Sequence, residues 1–185
     1  MTREEFWAMV ERSLGLAASL PAPRRGLLRR PVALRPGERH VLALEPLLTA
    51  LPDDDLVAFQ EHLDALRADL FRWDVWGAGH VACRGMGEDS FTDLRTWLVS
   101  QGRAAYERVA GEPDALADVG PPDLHERIGD AETWGYVALE VWDGRHDDDM
   151  PRPGVGAAAR PAGEEWDEHD DAGLAARFPR LSQRR

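Results

Sequence analysis

The sequence predicts an all-α fold, a compact single-domain helical bundle with long irregular connectors over residues 1–185. Three observations predict it. Apolar residues recur at spacings of three and four in several segments, as on one face of a helix. No segment shows the sustained alternation of apolar and polar residues that is typical of a strand, although the sequence does not decide whether a minor hairpin is present. The chain is 43% hydrophobic and 30% charged, a composition typical of one globular domain at this length.

The first helix is predicted at the N-terminus. Thr2 and Glu5 have the spacing of a capping box, in which each side chain binds the other residue's backbone N–H. Helical spacing then links the apolar residues Phe6, Trp7, Val10 and Leu14. Residues 17–40 contain four prolines and many arginines, so an irregular connector is predicted there. Pro46 leaves the conformation of residues 41–51 open.

The longest helix is predicted to begin at Asp53. The acids at 53–55 occupy its first turn, where carboxylates interact favourably with the helix dipole. Alternating spacings of three and four then relate Leu56, Phe59, Leu63, Leu66 and Leu70. We expect this helix to continue through residues 73–78 and to end near Gly85.

Two more helices are predicted from their capping residues. Ser90 and Asp93 have capping-box spacing ahead of a helix that faces inward through Phe91, Leu94, Trp97 and Leu98. Gly102 is expected to break that helix. Asp130 is expected to cap a later one, whose buried face carries Trp134, Val137, Ala138 and Val141.

The last part of the chain is predicted to contain a flexible linker. Residues 144–163 combine an acidic run with a stretch rich in Pro, Gly and Ala. After this linker, Trp166 and a short helix ending at Phe178 are expected to pack back on the body of the domain.

Charge and composition restrict the classes of partner. The net charge is −12, and residues 111–185 carry 18 acids against 8 arginines, so binding to nucleic-acid phosphates is not expected. Arg24-Arg25 and Arg29-Arg30 form a local basic segment within the Pro-rich connector. No apolar run is long enough for a membrane helix, and the N-terminus lacks the apolar core of a secretion signal, so we expect a cytoplasmic protein without membrane contact.

A tryptophan-rich central segment is the main candidate site. Trp73 and Trp76 are three residues apart and therefore share a helix face, beside the small residues at 77–79. Such an aromatic wall with charges of both signs suits a small polar ligand. The predicted ligand-binding residues are Trp73, Asp74, Trp76, Arg95, Trp97 and Arg103. In the alternative interpretation, the tryptophans fill the core and Asp74 forms a structural ion pair.

Other candidate sites have weaker signals. The glycines of loop 84–90 precede a helix, but Glu88 and Asp89 would compete with an anion there. The acidic runs at 146–149 and 167–171 lack EF-hand or His-Glu-x-x-His spacing, so no metal site is predicted. Cys83 and His80 share a helix face, but an apolar context favours an inert thiol. Catalytic residues stay unknown, and no cofactor is predicted.

Several of these residues together carry a resemblance to a known family. They comprise Phe59, the run Trp73-Asp74-Val75-Trp76-Gly77-Ala78, Phe91, Arg95, Trp97-Leu98 and Gly102-Arg103. Glu5-Phe6-Trp7 near the start also fits, as do Trp166-Asp167-Glu168 and Arg177-Phe178-Pro179-Arg180-Leu181 near the end. The chain thereby resembles the bacterial domain-of-unknown-function family 4240. The resemblance implies a small bacterial cytoplasmic protein and supplies no activity or catalytic residues.

Two hypotheses of function follow. The first is a non-catalytic binding module, whose acidic surface or tryptophan-lined cleft binds a small polar ligand or a basic protein partner. The second is an accessory enzyme in which Asp74, Arg95 and Arg103 surround a tryptophan-walled pocket and His80 moves a proton. Whether the protein is an enzyme stays open. A cavity on which all three charged side chains converge would favour the ligand or enzyme hypothesis.

Overall fold

The computed structural model is helical throughout its described core, which confirms the predicted fold class. The structure describes residues 1–20, 34–152 and 158–184, together with the backbone of 24–25 and 30–31. The longer helices are α1 Arg3–Ser19, α2 Pro36–Thr49, α3 Asp53–Asp69, α4 Trp73–Cys83, α5 Glu88–Ser100, α6 Arg103–Gly111 and α9 Ala131–Asp143. The shorter ones are α7 Leu116–Val119, α8 Leu124–Gly129, α10 Asp171–Arg177 and α11 Pro179–Ser182, and a 3₁₀ turn at Pro113–Ala115 precedes α7.

Helix α9 lies at the centre of the packing. It contacts α2, α3, α5 and α8, while α1 packs on α2 and α3. The face predicted for it is confirmed, since Trp134, Val137, Ala138 and Val141 are buried. Buried apolar residues from α1 through α11 form one continuous cluster. In the parts of the chain that the structure describes, no helix has the length and apolar character to cross a membrane.

The predicted capping box at the first helix is confirmed. The Glu5 backbone N–H donates to Thr2 Oγ1, and the Thr2 backbone N–H donates to the Glu5 carboxylate. The connector predicted over 17–40 is shorter than expected, because α1 continues to Ser19 and α2 begins at Pro36. Proline is well suited to a first helical position, where its missing N–H has no partner to lose.

Most of that connector, residues 21–33, lies largely outside the described residues, and so do the side chains of the two arginine pairs. The backbone of 24–25 (β1) pairs antiparallel with that of 30–31 (β2), with Arg24 opposite Pro31. This two-residue pairing is the minor hairpin that the sequence left open.

The expectation that the long helix continues through 73–78 is wrong. Helix α3 ends at Asp69, and α4 begins separately at Trp73. Between them Arg72 is extended, with φ −138° and ψ 146°. Its backbone forms an isolated parallel bridge with Ala162, so a tertiary contact holds the break that the local pattern did not indicate.

The predicted capping box at Ser90 and Asp93 is also wrong. Helix α5 begins at Glu88 with Gly87 as its N-cap, which places Ser90 inside the first turns. The acids Glu88 and Asp89 in the first turn favour this earlier start through the helix dipole. The break at Gly102 is confirmed, since α5 ends at Ser100 and Gly102 has a φ of +89°.

The segment predicted as a flexible linker, 144–163, makes specific contacts where it is described. Met150 is buried, and Trp142 Nε1 donates to Asp148 O at 2.7 Å. Arg145 donates to the backbone carbonyls of Leu48 and Thr49 at the end of α2. Residues 153–157 of this predicted linker lie outside the described residues.

Candidate functional site

The tryptophans of the central segment form an aromatic cluster, composed of Trp73, Trp76, Phe91 and Trp166. Trp73 stacks on Trp76 with ring centroids 5.3 Å apart and planes 7° apart. Trp76 stacks on Phe91 at 4.8 Å and 11°. Trp166 meets Trp73 and Trp76 edge-on at 6.2 and 6.3 Å. Much of the surface of these rings therefore contacts other rings of the same chain.

The polar atoms of this aromatic cluster bind the protein itself. Trp76 Nε1 donates to Met86 O at 2.9 Å, and Trp166 Nε1 donates to Trp73 O at 2.8 Å. A Cβ atom placed on Gly77 would lie 2.9 Å from the Phe178 ring. The small residue at 77 thus admits the chain's own Phe178, and the aromatic cluster holds the C-terminal segment against α4.

Two of the predicted charged residues, Asp74 and Arg103, form ion pairs with residues close to them in the sequence. Asp74 accepts two hydrogen bonds from Arg72, both at 2.9 Å. Arg103 donates from Nε to Glu107 at 2.6 Å on the exposed side of α6, and this pairing raises the pKa of Arg103. Neither side chain contacts the other.

Arg95, the third predicted charged residue, lies over two aromatic rings. Its guanidinium carbon is 4.8 Å from the Phe71 ring centre and 5.0 Å from that of Phe91. It donates to Arg67 O and Thr92 Oγ1, and burial lowers its pKa to about 10. The three charged side chains therefore make separate contacts, and the structure does not bring them together in one cleft.

A cavity of about 460 Å³ lies elsewhere, between the end of α1, the start of α2, the end of α5 and the junction of α8 with α9. Leu14 and Ala17 of α1 line one side, and Trp97 of α5 lines another. His40 of α2 and Trp134 of α9 complete its inner wall. Trp97 belongs to the predicted ligand-binding set, so one of those six residues reaches this cavity.

His40 is a buried imidazole, 6% exposed, in the cavity wall. Its Nε2 lies 2.7 Å from Ser13 Oγ, and the Ser13 hydroxyl donates to Val10 O at 2.7 Å. Since a hydroxyl has one proton, the hydrogen bond to His40 is donated by the imidazole Nε2–H. Burial lowers the pKa of His40 from 6.5 to about 4, so the ring is neutral near pH 7.

Trp134 places an unsatisfied donor in the same wall. The residue is 2% exposed, and its ring centre lies 5.4 Å from that of His40. Its Nε1–H is buried and has no acceptor among the residues that the structure describes. A buried N–H without an acceptor costs about 1–3 kcal/mol.

Two arginines line the cavity. Arg39 donates from Nε to Ala17 O at 3.0 Å and from Nη2 to Leu20 O. Arg127 donates from Nε to Asp123 at 2.8 Å. Within the described ranges, no carboxylate lies within ion-pair distance of Arg39. A carboxylate thus balances the charge of Arg127, whereas no carboxylate among the described residues balances that of Arg39.

The cavity mouth is closed on one side by a tight contact between α2 and the α8–α9 junction. A Cβ placed on Gly37 would lie 2.3 Å from Asp130 Cβ, so only glycine fits here. The Asp130 carboxylate is buried and pairs with Arg35 Nη1 at 2.5 Å. This contact positions the start of both helices at the cavity.

Ser13 and the His40 of the cavity wall are not arranged as a nucleophile and its base. Ser13 donates its proton to Val10 O and accepts from His40, so the imidazole is not oriented to remove that proton. In the described parts of the chain, no group of three or more His, Cys, Asp or Glu side chains is arranged to hold a metal ion.

The weaker candidates of the central segment have structural surroundings. Burial raises the pKa of the Cys83 thiol to about 11, which keeps it protonated. The His80 ring packs on Trp166 with centroids 4.7 Å apart. Glu88 and Asp89 lie in the first turn of α5, where an anion in loop 84–90 would have to bind.

Sequence reasoning missed Arg39, His40 and Trp134 as site residues. His40 and Arg39 lie within the predicted connector, because the four prolines and many arginines of residues 17–40 predict irregular structure there. A signal was present: His40, Ala43, Leu44 and Leu48 follow helical spacing and are all buried. Trp134 was correctly placed on a buried face, but periodicity does not show that its N–H lacks an acceptor.

Comparison with known proteins identifies a family whose function is unknown. The family model described as "Protein of unknown function (DUF4240)" matches residues 1–143. Every residue that lines the cavity lies within the matched part, whereas Trp166 and Phe178 lie beyond it. No curated protein and no solved structure matches the chain.

Proposed function

Since the chain belongs to the DUF4240 family of proteins of unknown function, we propose on the geometry alone that it is a non-catalytic module that binds a small ligand. The ligand occupies the cavity walled by His40, Trp97 and Trp134. One observation carries the proposal: a cavity of about 460 Å³ is lined by Trp134, whose buried indole N–H has no acceptor among the described residues. Buried polar groups in native proteins are nearly always paired, and this one belongs to a side chain that lines the cavity.

The size and composition of the cavity support a small molecule. Its volume is near the small end of the roughly 300–1,000 Å³ range of ligand pockets. Apolar side chains and two tryptophans form the walls, and a few polar groups stand among them, as is usual for such pockets. The neutral His40 held by Ser13 makes the wall rigid, which lowers the entropy cost of binding.

The enzyme hypothesis built on Asp74, Arg95 and Arg103 has less support, because each of these side chains has a separate partner. A basic protein partner that binds the acidic surface stays a second proposal. It is supported by the net charge of −12 and by no particular contact of the structure.

The test uses the tryptophan indole signals in a ¹H–¹⁵N NMR spectrum, to which the seven tryptophans contribute. Trp134→Phe assigns the Trp134 signal. We expect compounds that raise the melting temperature in a small-molecule screen to shift this signal most. The Trp76 and Trp166 indoles serve as internal controls, because they are already bonded to Met86 O and Trp73 O.

A ligand bound in the cavity and a ligand bound in the central segment give different results in this test. Ligands of the cavity should stabilise the native chain and the Arg103→Gln variant, and should stabilise Trp134→Phe less. Stabilising compounds that shift the signals of Trp73 and Trp76 and leave Trp134 unchanged would place the site in the central segment instead. A screen without any stabilising compound would contradict ligand binding.

A further inference from the structure

Several hydrogen-bond donors belong to residues that line the cavity. Trp134 Nε1–H is buried and unbonded among the described residues. Gln101 Nε2 already donates to Ser100 Oγ, and Ser100 donates to Trp97 O. Arg39 and Arg127 add guanidinium donors at the same cavity. These donors suit a ligand that supplies acceptor atoms.

The charge balance of the cavity identifies the kind of acceptor. Arg39 donates only to the carbonyls of Ala17 and Leu20, and no carboxylate among the described residues neutralises it. Arg127 uses Nε for Asp123, and its two terminal amino groups make no hydrogen bond to a described residue. Arg39 is thus the cavity-lining arginine that has no carboxylate partner among the described residues, in a chain whose net charge is −12.

The acids near the cavity, Asp130 and Glu38, both pair with Arg35 rather than with Arg39, so two carboxylates share that arginine. Asp130 pairs with Arg35 and is 6% exposed at its side chain. Glu38 accepts a hydrogen bond from the Arg35 backbone N–H. The helices α2 and α9, of 14 and 13 residues, both begin at the cavity and add the positive ends of their dipoles.

We propose that the cavity binds a small monocarboxylic acid, whose carboxylate faces Arg39 and Arg127 and whose apolar body lies against Trp97 and Trp134. This inference rests on the proposed ligand-binding function. A single negative charge suits this site better than a phosphate dianion, because the carboxylates of Asp130 and Glu38 share Arg35 nearby and would repel a second negative charge. The apolar walls require a body larger than acetate or formate, since burying those walls provides the hydrophobic part of the affinity.

The test compares each acid with its amide, which has nearly the same shape and no charge. The probes are phenylacetate with phenylacetamide, indole-3-acetate with indole-3-acetamide, and 4-methylpentanoate with its amide. Binding to the full chain is measured by the shift of the Trp134 indole signal during titration. We expect at least one acid to bind roughly tenfold to a hundredfold more tightly than its amide, as charge-assisted hydrogen bonds predict.

Variants locate the charge that is responsible. Arg127→Gln should reduce the preference for the acid about tenfold, since the substitution removes the charged guanidinium that faces the carboxylate. Arg103→Gln, on the exposed side of α6, is the matched control and should leave the preference unchanged. Because the native chain already compares acid with amide, a variant that fails to fold does not prevent the test.

Each remaining outcome has a different meaning. Amides that bind as tightly as their acids would overturn the carboxylate inference and leave the proposed binding function standing. Phenyl phosphate that binds more tightly than phenylacetate would overturn the single-charge argument. If neither series shifts the Trp134 signal and the broader screen is also empty, the proposed function itself fails.

Discussion

The imidazole Nε2 of His40 lies 2.7 Å from the hydroxyl oxygen of Ser13, across the interface of α1 and α2. Because the Ser13 hydroxyl donates to Val10 O, the imidazole is the donor in this contact. The bond therefore fixes a neutral tautomer of His40 in the cavity wall. It links a polar group of the candidate site directly to the packing of two helices.

Acid should destabilise the protein through His40. The pKa of the folded state is lowered to about 4 and the ordinary value is 6.5, so the unfolded chain takes up this proton first as the pH falls. The contribution is fully present above about pH 6.5 and is lost as the pH falls to about 4, amounting to about 3 kcal/mol. Urea unfolding across this range should show the loss.

The matching variants are His40→Gln and His125→Gln. His40→Gln should remove most of this pH dependence, whereas His125→Gln should keep it, because His125 is exposed. An unchanged pH dependence in His40→Gln would show that other groups cause it.

Gly37→Ala should destabilise the chain by about 2 kcal/mol, because the added Cβ would overlap Asp130 Cβ, which lies 2.3 Å from its position. Thermal unfolding measures the effect. Gly15→Ala is the matched control: it lies inside α1 and has no atom within 4 Å, so it should stabilise by about 0.5–1 kcal/mol. Equal effects of the two substitutions would refute the close contact of α2 with the α8–α9 junction.

Arg145→Gln should lower stability by about 1–3 kcal/mol, since Arg145 satisfies the backbone carbonyls of Leu48, Thr49 and Leu51. Arg145→Lys keeps the charge without the planar fork and should recover only part of the loss. Both values come from urea unfolding at pH 7. Full recovery by lysine would mean that charge alone, rather than the contacts with the carbonyls, matters.

The contact of Arg145 with Asp53 leads us to expect a second effect of acid, at a pH below the range in which His40 takes up its proton. Its hydrogen bond to Asp53 holds the pKa of that carboxyl below its ordinary value of 3.8. The stabilisation is present above that value and is lost as the pH falls below it. Arg145→Gln should therefore show a smaller loss of stability than the native chain in this lower range.

Trp166→Ala should release the C-terminal segment from α4. It removes the edge-on contacts with Trp73 and Trp76 and the hydrogen bond to Trp73 O, at a cost of about 2 kcal/mol for this half-buried ring. Hydrogen exchange should quicken in residues 171–182 and change little in α9. Tyr136→Ala is the control, because Tyr136 is 51% exposed. Unchanged exchange in α10 would argue against this role of the aromatic cluster.

The sequence predicts the helices well wherever their residues follow a long periodic pattern. The stripe from Leu56 to Leu66 and the face from Trp134 to Val141 are buried as expected. Boundaries were less predictable. The break at Arg72 depends on its bridge to Ala162, 90 residues later, and no local pattern contains that information.

The candidate site, like the fold, could be predicted from the sequence only in part. Trp97 belongs to both the predicted set and the cavity, because a large inward-facing aromatic residue is visible in the pattern of α5. The convergence expected for Asp74, Arg95 and Arg103 does not occur, since each finds a nearer partner. A short-range partner two to four residues away is as compatible with the sequence as a distant one.

By itself, the sequence determined that this protein is a helical member of the DUF4240 family with a net charge of −12. These properties follow from spacing, composition and motif residues, which are local. Only the tertiary structure decided where the cavity lies and which polar atoms face it. His40 meets Ser13 across 27 residues, and Trp134 lacks an acceptor because no described residue from any helix supplies one. An unpaired buried group of this kind is a property of the packed interior and has no counterpart in a linear pattern.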